Sequence, residues 1–306
     1  MKWLPVAITA LLLVAQINSS AQEAGTAYSS DSAPVYYRVY GSGKPLLVIN
    51  GGPGMNSNGF EGLAKALSKN NMVIIYDQRG TGRSVLKKTD ASTVTLQLMM
   101  DDVEALRKEL KIEKWSILGH SFGGMLASYY ATKYPQHIEK LILSSSGGID
   151  LGLLNDVNAS INSKLSKAQH DSLSYWNNRI NGGDTTHYAA LQRGLNLAHA
   201  YVLDQKYIPV IGERLTQGNS ALNSLIWADL QKNRFDCSAG LKNFDQPVLI
   251  IQGREDIIRP ETAEKAHRVL KNSRIVYLDH SIHYGWLDNP ESFFAALNSF
   301  LADGRP

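Results

Sequence analysis

The sequence predicts an α/β fold: a mostly parallel central sheet flanked by helices, with a helical insertion lying over it. Three observations carry that expectation. From about residue 35, short apolar runs alternate with amphipathic stretches, the pattern of strands joined by crossover helices. The alternation stops near Gly148 and resumes at Pro247, and the stretch between is polar, rich in Asn and helical in pattern. The 306 residues are 43% hydrophobic and 19% charged, a globular composition long enough for a large core and unlike a disordered chain, collagen or a coiled coil.

The amino terminus follows a different grammar. Lys2 precedes an apolar stretch from Leu4 to Ile17, and Ser19-x-Ala21 follows it. That segment is shorter than the roughly 20 residues of a membrane span and ends in small residues that suit a signal peptidase. Residues 1–21 are therefore expected to be a signal peptide cleaved after Ala21. The mature protein would be exported, periplasmic or extracellular, without a stable membrane span. An uncleaved anchor is the competing reading. No cysteine lies near the cleavage site, so lipid attachment there is not expected.

The core is expected in two parts, 22–148 and 241–306. Val35 to Tyr40 alternates like a half-exposed strand. Leu46 to Ile49, Val73 to Tyr76, Ser116 to Leu118, Leu141 to Leu143, Val248 to Ile251 and Ile275 to Leu278 read as buried strands. Leu96, Met99, Met100, Val103, Leu106 and Leu110 share one helical face, with Asp101, Glu104, Lys108 and Glu109 off it. Residues 149–240, with Leu191, Leu195, Leu197, Tyr201, Leu225 and Trp227, have too few β-branched runs for strands and should form a helical cap. Because strands resume at Pro247 to complete the same sheet, the cap reads as a lid rather than an independent domain.

Composition narrows the function. The 31 Lys and Arg against 28 Asp and Glu leave a net charge of +3, too small and too dispersed for a nucleic-acid surface. The single cysteine, Cys237, forms no intrachain disulfide and reads as a packing residue. No Cys/His cluster has zinc spacing, and neither a metal nor a cofactor is expected.

Chemistry enters at Gly119-His120-Ser121-Phe122-Gly123, directly after a strand and before the helix-like run Met125 to Tyr130. A serine on so sharp a turn is forced into strained backbone and exposes its hydroxyl, while the glycines remove side chains that would collide. The helix that follows turns its positive end toward the serine, and the Phe122 N–H can face an oxyanion. Asn50-Gly51-Gly52-Pro53-Gly54 follows an earlier strand, and the Gly52 N–H is the expected second donor.

A serine hydroxyl needs a base, and the base needs an acid to hold its tautomer. Asp256 follows the strand Val248 to Ile251, and His280 and His283 follow the last strand. The chain order Ser, Asp, His is that of the α/β-hydrolase fold rather than of the chymotrypsin or subtilisin arrangements. Of the eight histidines, only these two occupy the required place. His120, inside the elbow, reads as a lining residue. Spacing favours His283 without excluding His280, and Glu255 and Asp245 remain alternatives to Asp256.

The strings NGGPG (50–54), YDQRGTGRS (76–84), GHSFGGMLA (119–127), GREDIIRP (253–260) and HSIHYGWLDNP (280–290) resemble those of proline iminopeptidases and their α/β-hydrolase relatives. The likeness spans nearly the whole chain after residue 21 except the cap. It implies an acidic residue five positions after the histidine and a proline seven after. Asp288 and Pro290 satisfy this when counted from His283. The resemblance thus implies Ser121, Asp256 and His283 as the triad and Gly52 and Phe122 as oxyanion donors. Asp77 and Arg79 would brace loops beside the site.

Two departures accompany it. Asn50 stands where the family has histidine. The family's tryptophan-rich, glutamate-bearing cap signature has no clear counterpart, which leaves Glu213, Asp229 and Asp236, near Tyr207 and Trp227, as candidates to hold a substrate amine. The implied activity is release of an amino-terminal proline or small residue from short peptides through an acyl-enzyme. A carboxylesterase or lactonase, which needs no amine site, is the first alternative. A ligand-binding protein that retains the fold is the second.

Overall fold

Runs of Leu, Ile and Val with almost no polar interruption become the inner strands of one eight-stranded sheet. The protein is described by a computed structural model over residues 23–303, so the expected signal peptide lies outside the described residues. The strands are β1 (Glu23–Tyr28), β2 (Pro34–Tyr40), β3 (Lys44–Ile49), β4 (Asn71–Tyr76), β5 (Trp115–His120), β6 (Ile138–Ser144), β7 (Val248–Gly253) and β8 (Ser273–Leu278). Their order is β1-β2-β4-β3-β5-β6-β7-β8. β2 pairs antiparallel with β1 and with β4, and every other pairing is parallel. Every residue of β5 and of β7 is buried, as expected of parallel strands covered on both faces.

Two differences from the sequence reading lie at the sheet edges. β1, Glu-Ala-Gly-Thr-Ala-Tyr, is mostly exposed and has no apolar alternation to announce it. β8, expected as buried, is half-buried along most of its length, because it is an edge strand with β7 as its one neighbour.

Helices α1 (Glu61–Leu67), α2 (Leu96–Glu109) and α3 (Phe122–Lys133) fill crossovers of the first part. The α2 face is apolar as expected, with Leu96, Met99, Met100, Val103 and Leu106 buried. Glu104, read as off that face, is also buried. It accepts from Arg107 Nε at 2.9 Å, lies 3.0 Å from His137 Nδ1 and receives the Tyr130 hydroxyl. Burial alone would raise its pKa, but these partners bring it down to about 2. Arg79 at the end of the β4 turn is fully buried and bonds Asp102 of α2 and Asp31 of the β1–β2 turn.

After β6 the chain runs through α4 (Val157–Ser163), α5 (Lys167–Asn181), α6 (His187–Ala198), α7 (Ile208–Thr216), α8 (Ser220–Lys232) and α9 (Ser238–Leu241) before β7 begins. The two ends of this insertion meet at an Asp150–Asp236 bridge, reinforced by Cys237 N donating to Ile149 O at 2.8 Å. Its apolar residues join the core on both faces of the sheet. Leu222, Ile226 and Leu230 of α8 cluster with α2 and α3 residues. Ala198, Ile208, Ile211 and Leu215 cluster with α1 and the last helix. The second part closes with α10 (Pro260–Val269), α11 (Gly285–Asp288) and α12 (Pro290–Asp303). Among the described residues no helix is long and apolar enough to cross a membrane.

Candidate active site

β5 ends at His120 and α3 begins at Phe122, so Ser121 is the one residue between strand and helix. Its backbone adopts φ 55°, ψ −122°, a conformation that costs a non-glycine residue about 1–3 kcal/mol and persists only when its surroundings impose it. They do so here. Ser121 N donates to Ser144 O at 3.1 Å, and Ser121 O accepts from Gly124 N and Gly147 N, each at 2.9 Å. A Cβ on Gly123 would stand 2.1 Å from Ile49 O, so only glycine allows α3 to start this close to β3. Phe122 is the first helical residue, and its N–H has no partner within the helix.

Asp256 sits just beyond β7 and His283 beyond β8. His283 Nδ1 lies 2.8 Å from Asp256 Oδ1. The carboxylate is held rigidly: Oδ1 also accepts from Ile258 N at 3.1 Å and Oδ2 from Gln252 Nε2 at 3.1 Å. An ionised carboxylate only accepts hydrogen bonds, so Nδ1 carries the proton of the neutral imidazole, the tautomer whose Nε2 has a lone pair to offer. The His283 ring lies 4.6 Å from that of His120, the residue before Ser121, so the loop after β8 reaches the elbow. His280, Glu255 and Asp245, the alternatives, are exposed.

Asn50–Gly54 supplies the facing loop. The Gly51 backbone packs so closely on the elbow that a Cβ there would lie 2.7 Å from Ser121 Cβ, and Gly52 has φ +71°. The carbonyl oxygens of this loop are satisfied from behind. Gly51 O accepts from Asn50 Nδ2 at 3.0 Å and Arg214 Nη2 at 2.9 Å, Pro53 O from Asn223 Nδ2 at 3.1 Å, and Gly54 O from Asn219 N at 3.1 Å. Gln78 Nε2 donates to Asn50 O at 2.9 Å. Gly52 N–H keeps no acceptor among the described residues.

Sequence reasoning missed how much of this support comes from the cap. Arg214 of α7 is buried, donates also to Asn56 O at 2.6 Å and lies over the Phe60 ring at 5.3 Å. Burial pulls its pKa down against the pull of Tyr284 and Asp77. Asp288 ties the histidine loop to the cap, its carboxylate accepting from Ile282 N and from Leu203 N, each at 2.8 Å. His120 is enclosed by the rings of Phe60, Tyr284, Trp286 and His283. Burial first, then electrostatic repulsion from the neighbouring His283 and Arg214, hold its pKa well below the ordinary value, so it stays neutral.

A family model described as alpha/beta hydrolase fold matches residues 44–290. The chain belongs to that family. This α/β hydrolase is 28% identical over 271 residues to a proline iminopeptidase of Heyndrickxia coagulans, an alignment covering 85% of this chain and 91% of that relative. Among solved structures it is similar to an esterase from Rhodococcus sp. ECU1013, with a TM-score of 0.71, 18% identity and coverage of 92% of this chain and 99% of the other. It is also similar to a proline iminopeptidase of Mycobacterium smegmatis, with a TM-score of 0.66, 24% identity and coverage of 91% and 97%. At these identities the two structures speak for the fold, which hosts many activities.

Between cap and core this hydrolase has a cavity of about 450 Å³. Met55, whose sulfur abuts Gly52, lines one side. Tyr201, whose ring is 5.5 Å from that of His283 and whose carbonyl accepts from His283 N at 3.1 Å, lines another. The remaining polar lining is Arg193, several asparagines, Thr216 and Ser220, with no carboxylate among the described residues. The four cap residues Glu213, Asp229, Trp227 and Asp236, considered for substrate, do not line this cavity. Glu213 is exposed and pairs with His187 at 3.2 Å. Asp229 Oδ2 accepts from Leu96 N at 2.9 Å, at the start of α2. Trp227 packs edge-on against Phe122 at 6.3 Å. Asp236 accepts from Ser238 N at the neck of the insertion. Among the described residues no group of His, Cys, Asp and Glu is arranged to hold a metal.

Proposed function

We propose that this α/β hydrolase is a serine hydrolase that cleaves esters through an acyl-enzyme. The observation that carries the reading is the 2.8 Å contact between His283 Nδ1 and the buried Asp256 carboxylate, with the His283 ring 4.6 Å from that of His120, the residue before a serine held at φ 55°. In this reading His283 Nε2 takes the proton as Ser121 Oγ attacks the carbonyl carbon. The oxyanion is received by the N–H groups of Gly52 and Phe122, and donors of this kind are each worth about 3 kcal/mol where they have been removed. The tetrahedral intermediate collapses, the alcohol leaves with the proton from His283, and water repeats the sequence to release the acid. The cap cavity supports a preference for esters, because a free amine would need a carboxylate and none of the described residues lining it is one.

A second reading, an aminopeptidase releasing amino-terminal proline, is favoured by the 28% identity to a proline iminopeptidase over most of the chain. Turnover of a prolyl arylamide against its N-acylated form separates the two. A strong preference for the free amine would replace the ester reading, and equal rates would remove the aminopeptidase. A fluorophosphonate probe tests the nucleophile directly: the wild type should be labelled and Ser121→Ala should not, and labelling that persists would place the nucleophile elsewhere. We also propose export with cleavage after Ala21, tested by amino-terminal sequencing of the mature protein. Recovery of the intact leader would remove that proposal.

A further inference from the structure

We propose that Arg193 binds a carboxylate of the substrate, so that this hydrolase prefers substrates carrying an anionic group several atoms from the scissile carbonyl. The proposal rests on the ester-hydrolase reading only in taking the cap cavity as the place where the substrate extends from Ser121.

Arg193 projects from α6 into the cavity lining. Its Nε donates to Asn177 Oδ1 of α5 at 2.8 Å, and this fixes the plane of the guanidinium while leaving the Nη1 and Nη2 edge unengaged. Several other arginines have an acidic partner: Arg38 pairs with Glu61, Arg79 with Asp102, Arg107 with Glu104, and Arg179 on neighbouring α5 with Asp184. Among the described residues no carboxylate lies within ion-pair distance of Arg193. The surroundings supply further donors instead, since the side-chain amides of Asn181 and Asn219 line the same cavity and donate to no acceptor among the described residues. A half-buried cation with a free two-pronged edge, beside amide N–H groups and with no competing acid, is matched to the two oxygens of a carboxylate. It would repel an ammonium group.

Arg193 is linked to the triad through Tyr201. Arg193 is close enough to Tyr201 for its charge to oppose the rise in the phenol pKa that burial causes, and Tyr201 contacts the His283 ring. A substrate with its carbonyl at Ser121 would pass Met55 and Tyr201 and end at Arg193. Two sources present a carboxylate there: the far acid of a dicarboxylic half-ester, or the terminal carboxylate of a dipeptide.

The test compares monomethyl glutarate with methyl valerate, a neutral ester of the same chain length, and a dipeptide with its carboxyl-terminal amide. The expected wild-type kcat/KM favours the charged member of a pair by about 10- to 100-fold, the scale of a charge-assisted hydrogen bond. Arg193→Gln should bring that ratio toward one, and Arg193→Lys should retain part of it. A ratio is unaffected by partial loss of folded protein. Preference within the ester pair assigns the carboxylate to an acyl chain, and preference within the peptide pair assigns it to a peptide terminus. Equal rates in both pairs, or a preference that survives Arg193→Gln, overturns the proposal. Calorimetric binding of the same two esters to Ser121→Ala protein separates this inference from the hydrolase reading. Tighter binding of monomethyl glutarate that depends on Arg193, with no turnover by the wild type, would sink the hydrolase reading alone. Equal binding of the two esters would sink the carboxylate site even in an active enzyme.

Discussion

Asp256 is useful to the proposed reaction for what its oxygens accept. Its bond to His283 Nδ1 sets the tautomer, and an amide at that position can present a donor to the same nitrogen and invert it. Asp256→Asn should therefore lower kcat by about 10⁴-fold, as in the best-studied triad, while the circular dichroism spectrum stays that of the wild type. A small effect would mean that His283 does not rely on this partner. Cys237 behaves oppositely, as an inert filler. It is 3% exposed, and burial pushes its thiol up to about 12, so a disulfide exchange reagent should react with native protein slowly and with urea-unfolded protein at once. Prompt reaction in the native state would contradict that burial. Of the candidate residues, Ser121 had a local signature of its own, between two glycines, whereas spacing left His283 open against His280 and the choice came through the family likeness, which sets an acid, Asp288, five residues on. Arg214 was not legible, because a lone arginine in an amphipathic stretch gives no sign that it will be buried against a glycine loop more than a hundred residues earlier.

The cap and core elements are joined through the same loops that carry the site. Arg214 connects α7 to the carbonyls of Gly51 and Asn56, and a buried guanidinium without a contacting carboxylate is costly to maintain. Arg214→Met should consequently change unfolding free energy little. It should lower kcat by about tenfold or more through a loosened oxyanion loop, with a smaller change in KM. A large loss of stability with kcat intact would assign Arg214 to packing alone. Asp229 illustrates the other outcome of reading function from cap charges. Its carboxylate meets the first N–H of α2, where helices lack internal acceptors. Asp229→Ala should cost about 1 kcal/mol in urea unfolding, the ordinary value of such a cap, and leave the kinetics of a prolyl arylamide unchanged. A raised KM for that amine substrate would return Asp229 to the binding site.

For the whole molecule, the strands that were legible were those whose continuous apolar runs are buried on both sides, from Leu46 to Ile49 through Val248 to Ile251. β1 escaped because an exposed edge strand has no burial to enforce a pattern, and the exposure of β8 was misjudged because Ile275 and Val276 look the same in sequence whether one neighbour or two will cover them. The polar interior was the least legible part, and it sets how the protein should respond to acid. Glu104 has a folded pKa of about 2 against an ordinary 4.5, and the Asp31 carboxyl is lowered chiefly by its bond to Arg79. A depressed folded pKa means that the unfolded chain binds protons first as pH falls. The stabilisation is complete above pH 4.5 and is lost as pH drops from there toward 2, a linkage worth at most about 3 kcal/mol for Glu104. Urea unfolding at pH 7 should show Glu104→Gln less stable than the wild type, and the gap should close steadily below pH 4.5. A gap that is constant across that range would mean that the Arg107, Tyr130 and His137 contacts do not depend on the charge of Glu104.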